Sequence, residues 1–264
     1  MEKILEVRHL DVAFRMYEDS SFSDGQRILK AIRNLHVTLC RGEIVAVIGS
    51  SGSGKSLLAH ALMGILPKNA VYHLDMDFYG QKMALIPQSI SYLDPLKKVG
   101  KQLSLGRLSK KELAAIAEHY ELSAKDLDKY PFELSGGMAR RILIATAFTS
   151  GADLIIADEP TPGLSTALSD EVLQHFRHFA DKGKCVLLIS HDIDLVSFVA
   201  DRMIVLKDGE VVDALSTEDF RRGGESIRHP FTKALWRALP QNSFEPTPLE
   251  EIESQCARAE AKHA

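Results

Sequence analysis

The chain has 264 residues, 45% of them hydrophobic and 26% charged, with a formal net charge of -4. That length and apolar content supply one large core with room for a smaller lobe. The negative balance gives nucleic-acid binding no electrostatic support, and no apolar run approaches the roughly 18 residues a membrane span needs.

In chain order, the first candidate strand runs from Ile4 to Phe14, where Ile4, Leu5, Val7, Leu10, Val12 and Phe14 alternate loosely. The polar stretch Glu18 to Gln26 reads as a turn or loop. A second strand, Leu35 to Cys40, closes on Arg41-Gly42, and the two strands predict an antiparallel β lobe. Phe14 and Tyr17 are candidates to stack on an adenine; a strand aromatic packed in the core is an equally weighted reading of either. Next comes Ile44 to Ile48, apolar and β-branched, the pattern of a strand buried in a parallel sheet. It runs into Gly49-Ser50-Ser51-Gly52-Ser53-Gly54-Lys55-Ser56, which fits G-x-x-x-x-G-K-[ST]. A helical stretch, Leu57 to Met63, follows at once. Strand, glycine loop and helix are the context in which backbone N–H groups converge on phosphate oxygens and a helix N-terminus adds positive charge. Lys55 then reaches the terminal phosphates, and the Ser56 hydroxyl ligates magnesium. From average residue usage, a chance match in a chain this long is on the order of one in a hundred.

Gly64 and Pro67 end the helix. Leu74 to Tyr79 and Met83 to Ile86 read as short strands, and Pro87-Gln88 opens an irregular stretch to Pro95. Val99 to Tyr130 is helical in character, with Leu108, Leu113, Ile116 and Ala117 at helical spacing and Ser109 with Glu112 as a capping box. A helical lobe inserted over about 89–150 is the expected organisation. Pro131 to Met138 leads into a helix, Ala139 to Thr149. Its Ser135-Gly136-Gly137 presents backbone N–H groups at a helix start, a second anion site that is a weak signal taken alone. Leu154 to Ala157 is an apolar strand ending in Asp158-Glu159. Paired carboxylates at a strand's end are costly unless a metal or a reaction uses them; helix capping is the plain alternative. Val172 to Phe179 reads as an amphipathic helix. Cys185 to Ile189 is a third buried strand, and His191 just after it can point into a site at the sheet's carboxyl edge. Met203 to Leu206, a turn at 207–210 and Val211-Val212 predict a hairpin. Residues 241–264 form a polar tail in which Leu249 to Lys262 reads as a solvated helix. The N-terminal Met1 to Glu6 lacks the apolar core of a signal peptide. Cys40, Cys185 and Cys256 form no metal or disulfide pattern, which fits a reducing cytoplasm.

The order of these pieces resembles the ATP-binding cassette (ABC) ATPases over nearly the whole chain. The resemblance makes Gly49 to Ser56 the Walker A loop, Gln88 the Q-loop residue and Leu134 to Met138 the signature. Leu154 to Asp158 become Walker B, Glu159 the catalytic base and His191 the switch histidine. It implies an α/β fold: a P-loop ABC ATPase core in residues 1–240, with an N-terminal antiparallel β lobe and an inserted helical lobe. It implies ATP and Mg²⁺. Lys55 and the loop, with Leu57, would hold phosphates; Ser56, Gln88 and Asp158 would surround the metal; Ser135, Gly136 and Gly137 would act on ATP bound to a partner cassette.

Within that family Met138, Leu93-Asp94-Pro95 and His229 to Thr232 resemble the peptide/nickel importer branch. Tyr130 to Glu133 and Gly64 to Pro67 look closest to nickel-type members. The resemblance implies uptake of nickel, a metal chelate or short peptides. It implies a second, different cassette, two transmembrane permeases and, indirectly, a solute-binding protein, with the chain peripheral on the cytoplasmic face of the inner membrane. A translation or repair cassette is disfavoured, because the chain has one cassette and no long coiled coil. Two departures stand out. Ser165 replaces a carboxylate that in relatives helps join two cassettes, which keeps a regulatory cassette with little hydrolysis in play. Arg140 stands where relatives often have glutamine.

Overall fold

The computed structural model describes residues 2–17, 26–223, 226–240, 242 and 247–260. β1 (Lys3–Tyr17) and β2 (Gln26–Cys40) pair antiparallel. Of the polar stretch expected as a loop, 18–25 lies outside the described residues, and Gln26 already begins β2. β3 (Ile44–Gly49) leaves this lobe and leads through the glycine loop into α1 (Lys55–Leu62). The chain then returns: β4 (Ala70–Phe78) pairs antiparallel with the other edge of β1, giving the order β2-β1-β4. The lobe therefore does not lie wholly ahead of the glycine loop; it takes its third strand from beyond it.

The second sheet holds β3 with β5 (Met83–Ile86), β6 (Leu154–Asp158), β7 (Cys185–Ile189), β8 (Arg202–Lys207) and β9 (Glu210–Ser216). Its order is β5-β6-β7-β3-β8-β9, parallel except for the β8–β9 hairpin. Parallel strands are covered on both faces, which explains their unbroken apolar runs. The two-residue period still sorts them. In β7, Cys185, Leu187 and Ile189 join the cluster shared with α1 and the antiparallel lobe. Val186 and Leu188 join the cluster on the other face. β3 divides in the same way, Val45 and Val47 from Ile44, Ala46 and Ile48.

Helices cover that other face. They are α2 (Val99–Ser104), α3 (Lys110–His119), α4 (Gly136–Thr149), α5 (Thr166–Asp181), α6 (Ile193–Ser197), α7 (Thr217–Arg222), α8 (Pro230–Arg237) and α9 (Leu249–Glu260). The helical stretch expected over 99–130 is broken where Leu105 turns left-handed at φ 48°. The capping box is formed: Glu112 N–H donates to Ser109 Oγ at 3.3 Å, and Ser109 N–H to Glu112 Oε2 at 2.8 Å. α4 ties α2 to the sheet, since Val99, Leu103, Ala139, Ile142 and Ile155 share one apolar cluster. α9 is not the purely solvated helix its polar sequence predicts. Cys256 is buried and Ile252 packs against the main cluster. Among the described residues, no helix is long and apolar enough to cross a membrane.

Candidate active site

β3, β6 and β7 run parallel and deliver their last residues to one edge of the sheet. A cleft of about 350 Å³ opens there, lined by Ser51, Gly52, Gly54, Lys55, Ser56, Leu57, Gln88, Asp158, Glu159 and His191. Most of the residues predicted for nucleotide chemistry thus meet in one place, although they come from four separate parts of the chain.

The loop's shape depends on glycine where backbone presses against backbone. A Cβ on Gly49 would lie 2.1 Å from the Leu206 carbonyl oxygen, so no other residue fits the join of β3 to the loop. Gly54 starts α1 in the left-handed region, at φ 100°. Ser50 and Ser53 belong to the loop without walling the cleft. Ser53 is buried and its hydroxyl has no hydrogen-bond partner among the described residues, while Ser50 offers its carbonyl to Lys55. The Lys55 ammonium donates to Gly49 O at 2.9 Å and Ser50 O at 2.8 Å. Burial holds its pKa below the ordinary lysine value, against the opposing pull of Glu159 and Asp158. A partly desolvated cation bonded directly to neutral carbonyls favours an anionic ligand.

Asp158 ends β6, buried, and its Oδ1 has no partner among the described residues. Burial raises its pKa, the Ser56 hydroxyl bond lowers it and the Glu159 charge raises it. In a strand, adjacent side chains point to opposite faces. Glu159 escapes that rule by turning left-handed at φ 49°, so both acids reach the cleft. Such a residue carries about 1–3 kcal/mol of backbone strain, a cost concentrated at functional positions. Glu159 N–H donates to Ile189 O at 2.9 Å, which pins the turn to β7. Its Oε1 accepts from His191 N–H at 3.0 Å and lies 2.8 Å from His191 Nδ1. Its Oε2 has no partner among the described residues. The His191 ring is otherwise 71% exposed. A serine hydroxyl beside a carboxylate with an unpartnered oxygen is a hard-oxygen donor set, and it fits Mg²⁺.

Other predicted residues lie elsewhere. Phe14 packs half-buried against the apolar cluster of the antiparallel lobe and does not wall the cleft. The Tyr17 side chain lies outside the described residues. Ser135 caps α4, its Oγ accepting from Met138 N–H at 3.3 Å, with Gly136 and Gly137 in the first turn. None of the three lines this chain's own cleft. Neither acid caps the next helix. Ser165 does, accepting from Leu168 N–H at 3.4 Å, so the residue read as a lost carboxylate performs a structural task that aspartate performs equally well.

Sequence reasoning marked Arg140 only as a departure. It is buried on α4, and its guanidinium donates to Pro87 O at 2.5 Å and to Gln88 O. The helix that starts with the signature therefore grips the backbone of Gln88 directly. Burial lowers the pKa of Arg140, while Asp158 and Glu159 raise it. The one sequence signal was a cation on the buried face of a largely apolar helix.

The family described as ABC transporter matches residues 32–162. The oligopeptide transport ATP-binding protein OppD of Lactococcus lactis subsp. cremoris is 32% identical, over 90% of this chain and 76% of its own length. The chain belongs to the ABC transporter family, among its ATP-binding subunits. This ABC cassette is also 30% identical to the dipeptide transport ATP-binding protein DppD of Bacillus subtilis, over 95% of the chain and 82% of the relative. A dimeric, post-hydrolysis structure of the ATP-binding cassette MJ0796 with ADP and Pi superimposes with a TM-score of 0.66 at 25% identity. The match covers 81% of this chain and 98% of that one. The ABC cassette is accordingly an ATPase that binds ATP.

The buried charge of Asp158 yields a stability prediction. Its folded pKa is raised, so ionisation costs stability above the unfolded value of 3.8, and the cost disappears in acid. Asp158→Asn is therefore expected to melt higher than wild type at pH 7 without nucleotide or metal. Each kcal/mol recovered is worth about 2–4 °C at this chain size. The gain should shrink as the pH falls toward 4, and thermal denaturation at the two pH values checks it.

Proposed function

We propose that this cassette is the ATP-hydrolysing subunit of an importer for short peptides. One observation carries the catalytic part: Lys55, Ser56, Asp158, Glu159 and His191 line one cleft, and Glu159 keeps one carboxylate oxygen free. Lys55 and the loop amides hold the β- and γ-phosphates. Ser56 and Asp158, with Gln88, would hold Mg²⁺, which when bound neutralises phosphate charge. Glu159 Oε2 takes the proton of the attacking water as its oxygen bonds to the γ-phosphorus, and the bond to the β-phosphate oxygen breaks. Oε1 is already engaged by His191, so the residue is held in orientation while its other oxygen works. His191 keeps Nε2 for the γ-phosphate. Ser135, Gly136 and Gly137 act on ATP held by a partner cassette.

The cassette spans residues 1–240, with its helical lobe over about 89–150 and residues 241–264 as an appendage. It works at the cytoplasmic face of the inner membrane. Two permeases dock near Gln88, where Ile90, Tyr92 and Leu96 are exposed, and a solute-binding protein delivers cargo to them. That relatives such as OppD and DppD transport oligopeptides and dipeptides favours peptides as cargo. Nickel or a metal chelate, implied by Gly64 to Pro67 and Tyr130 to Glu133, is the competing cargo. The test is a reconstituted transporter in vesicles, with turnover measured as the binding protein is loaded with a tripeptide or with a nickel chelate. Stimulation by the peptide alone supports this reading. Stimulation by the nickel chelate alone replaces the cargo.

The partner is a second, different cassette that carries a carboxylate where this chain has Ser165. The Glu159→Gln form with ATP should sediment as a monomer alone and as a dimer once the cognate cassette is added. A tight homodimer with full activity overturns the heterodimer.

A further inference from the structure

We infer that His119, Glu171 and His175 form a zinc-class metal site that fastens α3 to α5. His119 is the last residue of α3, while Glu171 and His175 stand one turn apart on the same face of α5. His119 Nε2 lies 3.0 Å from His175 Nε2, and His119 Nδ1 lies 3.8 Å from Glu171 Oε1. One ligand atom from each residue falls within 4.8 Å of the others. Tetrahedral zinc with bonds near 2.1 Å sets its ligand atoms roughly 3.4 Å apart. The two distances use opposite nitrogens of His119, whose ring stacks on that of His175 with centroids 4.6 Å apart, so a turn of the His119 ring sets one of its nitrogens and the other two donors on one ion. Two imidazoles and a carboxylate are a borderline-soft donor set that suits zinc rather than magnesium. None of the three residues lines the nucleotide cleft.

His175 is also oriented. The Tyr120 hydroxyl lies 3.5 Å from His175 Nδ1, and the Phe148 ring meets the His175 ring edge-on with centroids 5.8 Å apart. Engaging Nδ1 leaves Nε2 as the ligating nitrogen, the usual role of groups behind a metal-bound histidine. The second histidine group, His9, His36 and His73 on the antiparallel lobe, offers less. Both nitrogens of His9 are taken, by Asn34 Oδ1 and Asp11 Oδ2. A metal on His119 and His175 would tie the segment that follows the Q-loop to the helix that starts at Ser165, and so restrain movement between them.

The test uses the full chain stripped of metal, with excess Mg²⁺ present to occupy the hard-oxygen site. Titration with ZnCl₂ is expected to show one saturable equivalent. His119→Ala and His175→Ala should each weaken it by at least ~10-fold, and His9→Ala should leave it unchanged. Cobalt(II) should give the visible bands of a four-coordinate site, lost in the same two variants. Amide exchange over 110–119 should slow when zinc is added to wild type. Absence of saturable binding, or binding that His119→Ala and His175→Ala leave intact while both variants melt like wild type, overturns the site.

Discussion

Lys55→Ala is expected to lose ATP affinity by roughly 10²- to 10³-fold, the scale of about 2–5 kcal/mol for removing one partner of a desolvated charge contact. The Lys55 ammonium is held over the loop by two neutral carbonyls, at 2.9 and 2.8 Å. No carboxylate binds it directly, although Glu159 and Asp158 pull on it from a distance, so the ammonium remains open to an anionic ligand. Burial strengthens the contact, because the surrounding water that would screen it is partly excluded. Alanine removes the charge and leaves the two buried acids, Asp158 and Glu159, facing the nucleotide with less opposing positive charge. Equilibrium titration with a fluorescent ATP analogue measures the loss. Affinity like that of wild type would mean that the loop amides alone hold the phosphates, and Lys55 would lose its role.

Glu159→Gln should keep ATP affinity within a few-fold and slow hydrolysis by ~10²–10⁴, the usual range for a lost general base. The geometry makes this substitution a clean one. The left-handed turn at residue 159 stays, and an amide oxygen still accepts the His191 N–H. The free oxygen, Oε2, becomes an NH2 group, which donates hydrogen bonds and cannot take a proton from water. Single-turnover hydrolysis measures it, with bound nucleotide counted in parallel. Turnover at the native rate would place the base elsewhere. A matching fall in affinity would mean that the carboxylate positions nucleotide rather than water.

Most of the site was legible because its parts obey strong local rules. Unbroken apolar runs announced β3, β6 and β7, and a strand buried on both faces has no other pattern available to it. The glycine loop was legible because close backbone approach excludes other residues at Gly49. Features that depend on a distant partner were not. Nothing in Ala70–Phe78 states which sheet it joins, so the third strand of the antiparallel lobe was missed. Ser165 was read for the carboxylate it lacks, and its capping bond appeared only with the start of α5. Arg140 was noticed without its targets, since the Pro87 and Gln88 carbonyls lie more than fifty positions earlier. The polar composition of α9 hid the burial of Cys256. Phe14 had two equal readings, and the one that matches its packing is the plainer.

The position of β3 in the middle of its sheet has a consequence for how the protein is made. The glycine loop leaves the ribosome early, yet the strands on either side of β3 are β7 and β8, residues 185–189 and 202–207. The antiparallel lobe has all three of its strands by Phe78 and can form first. β3 must wait through more than a hundred further residues for its first neighbour, and pairing across so long a separation is slow. A nascent or truncated chain that stops before Cys185 already carries the loop, Lys55, Asp158 and Glu159 but has nothing to hold them in line. Formation of the complete cleft therefore depends on β7 and β8 having paired with β3, and the nucleotide residues are aligned only after residue 207 has been made.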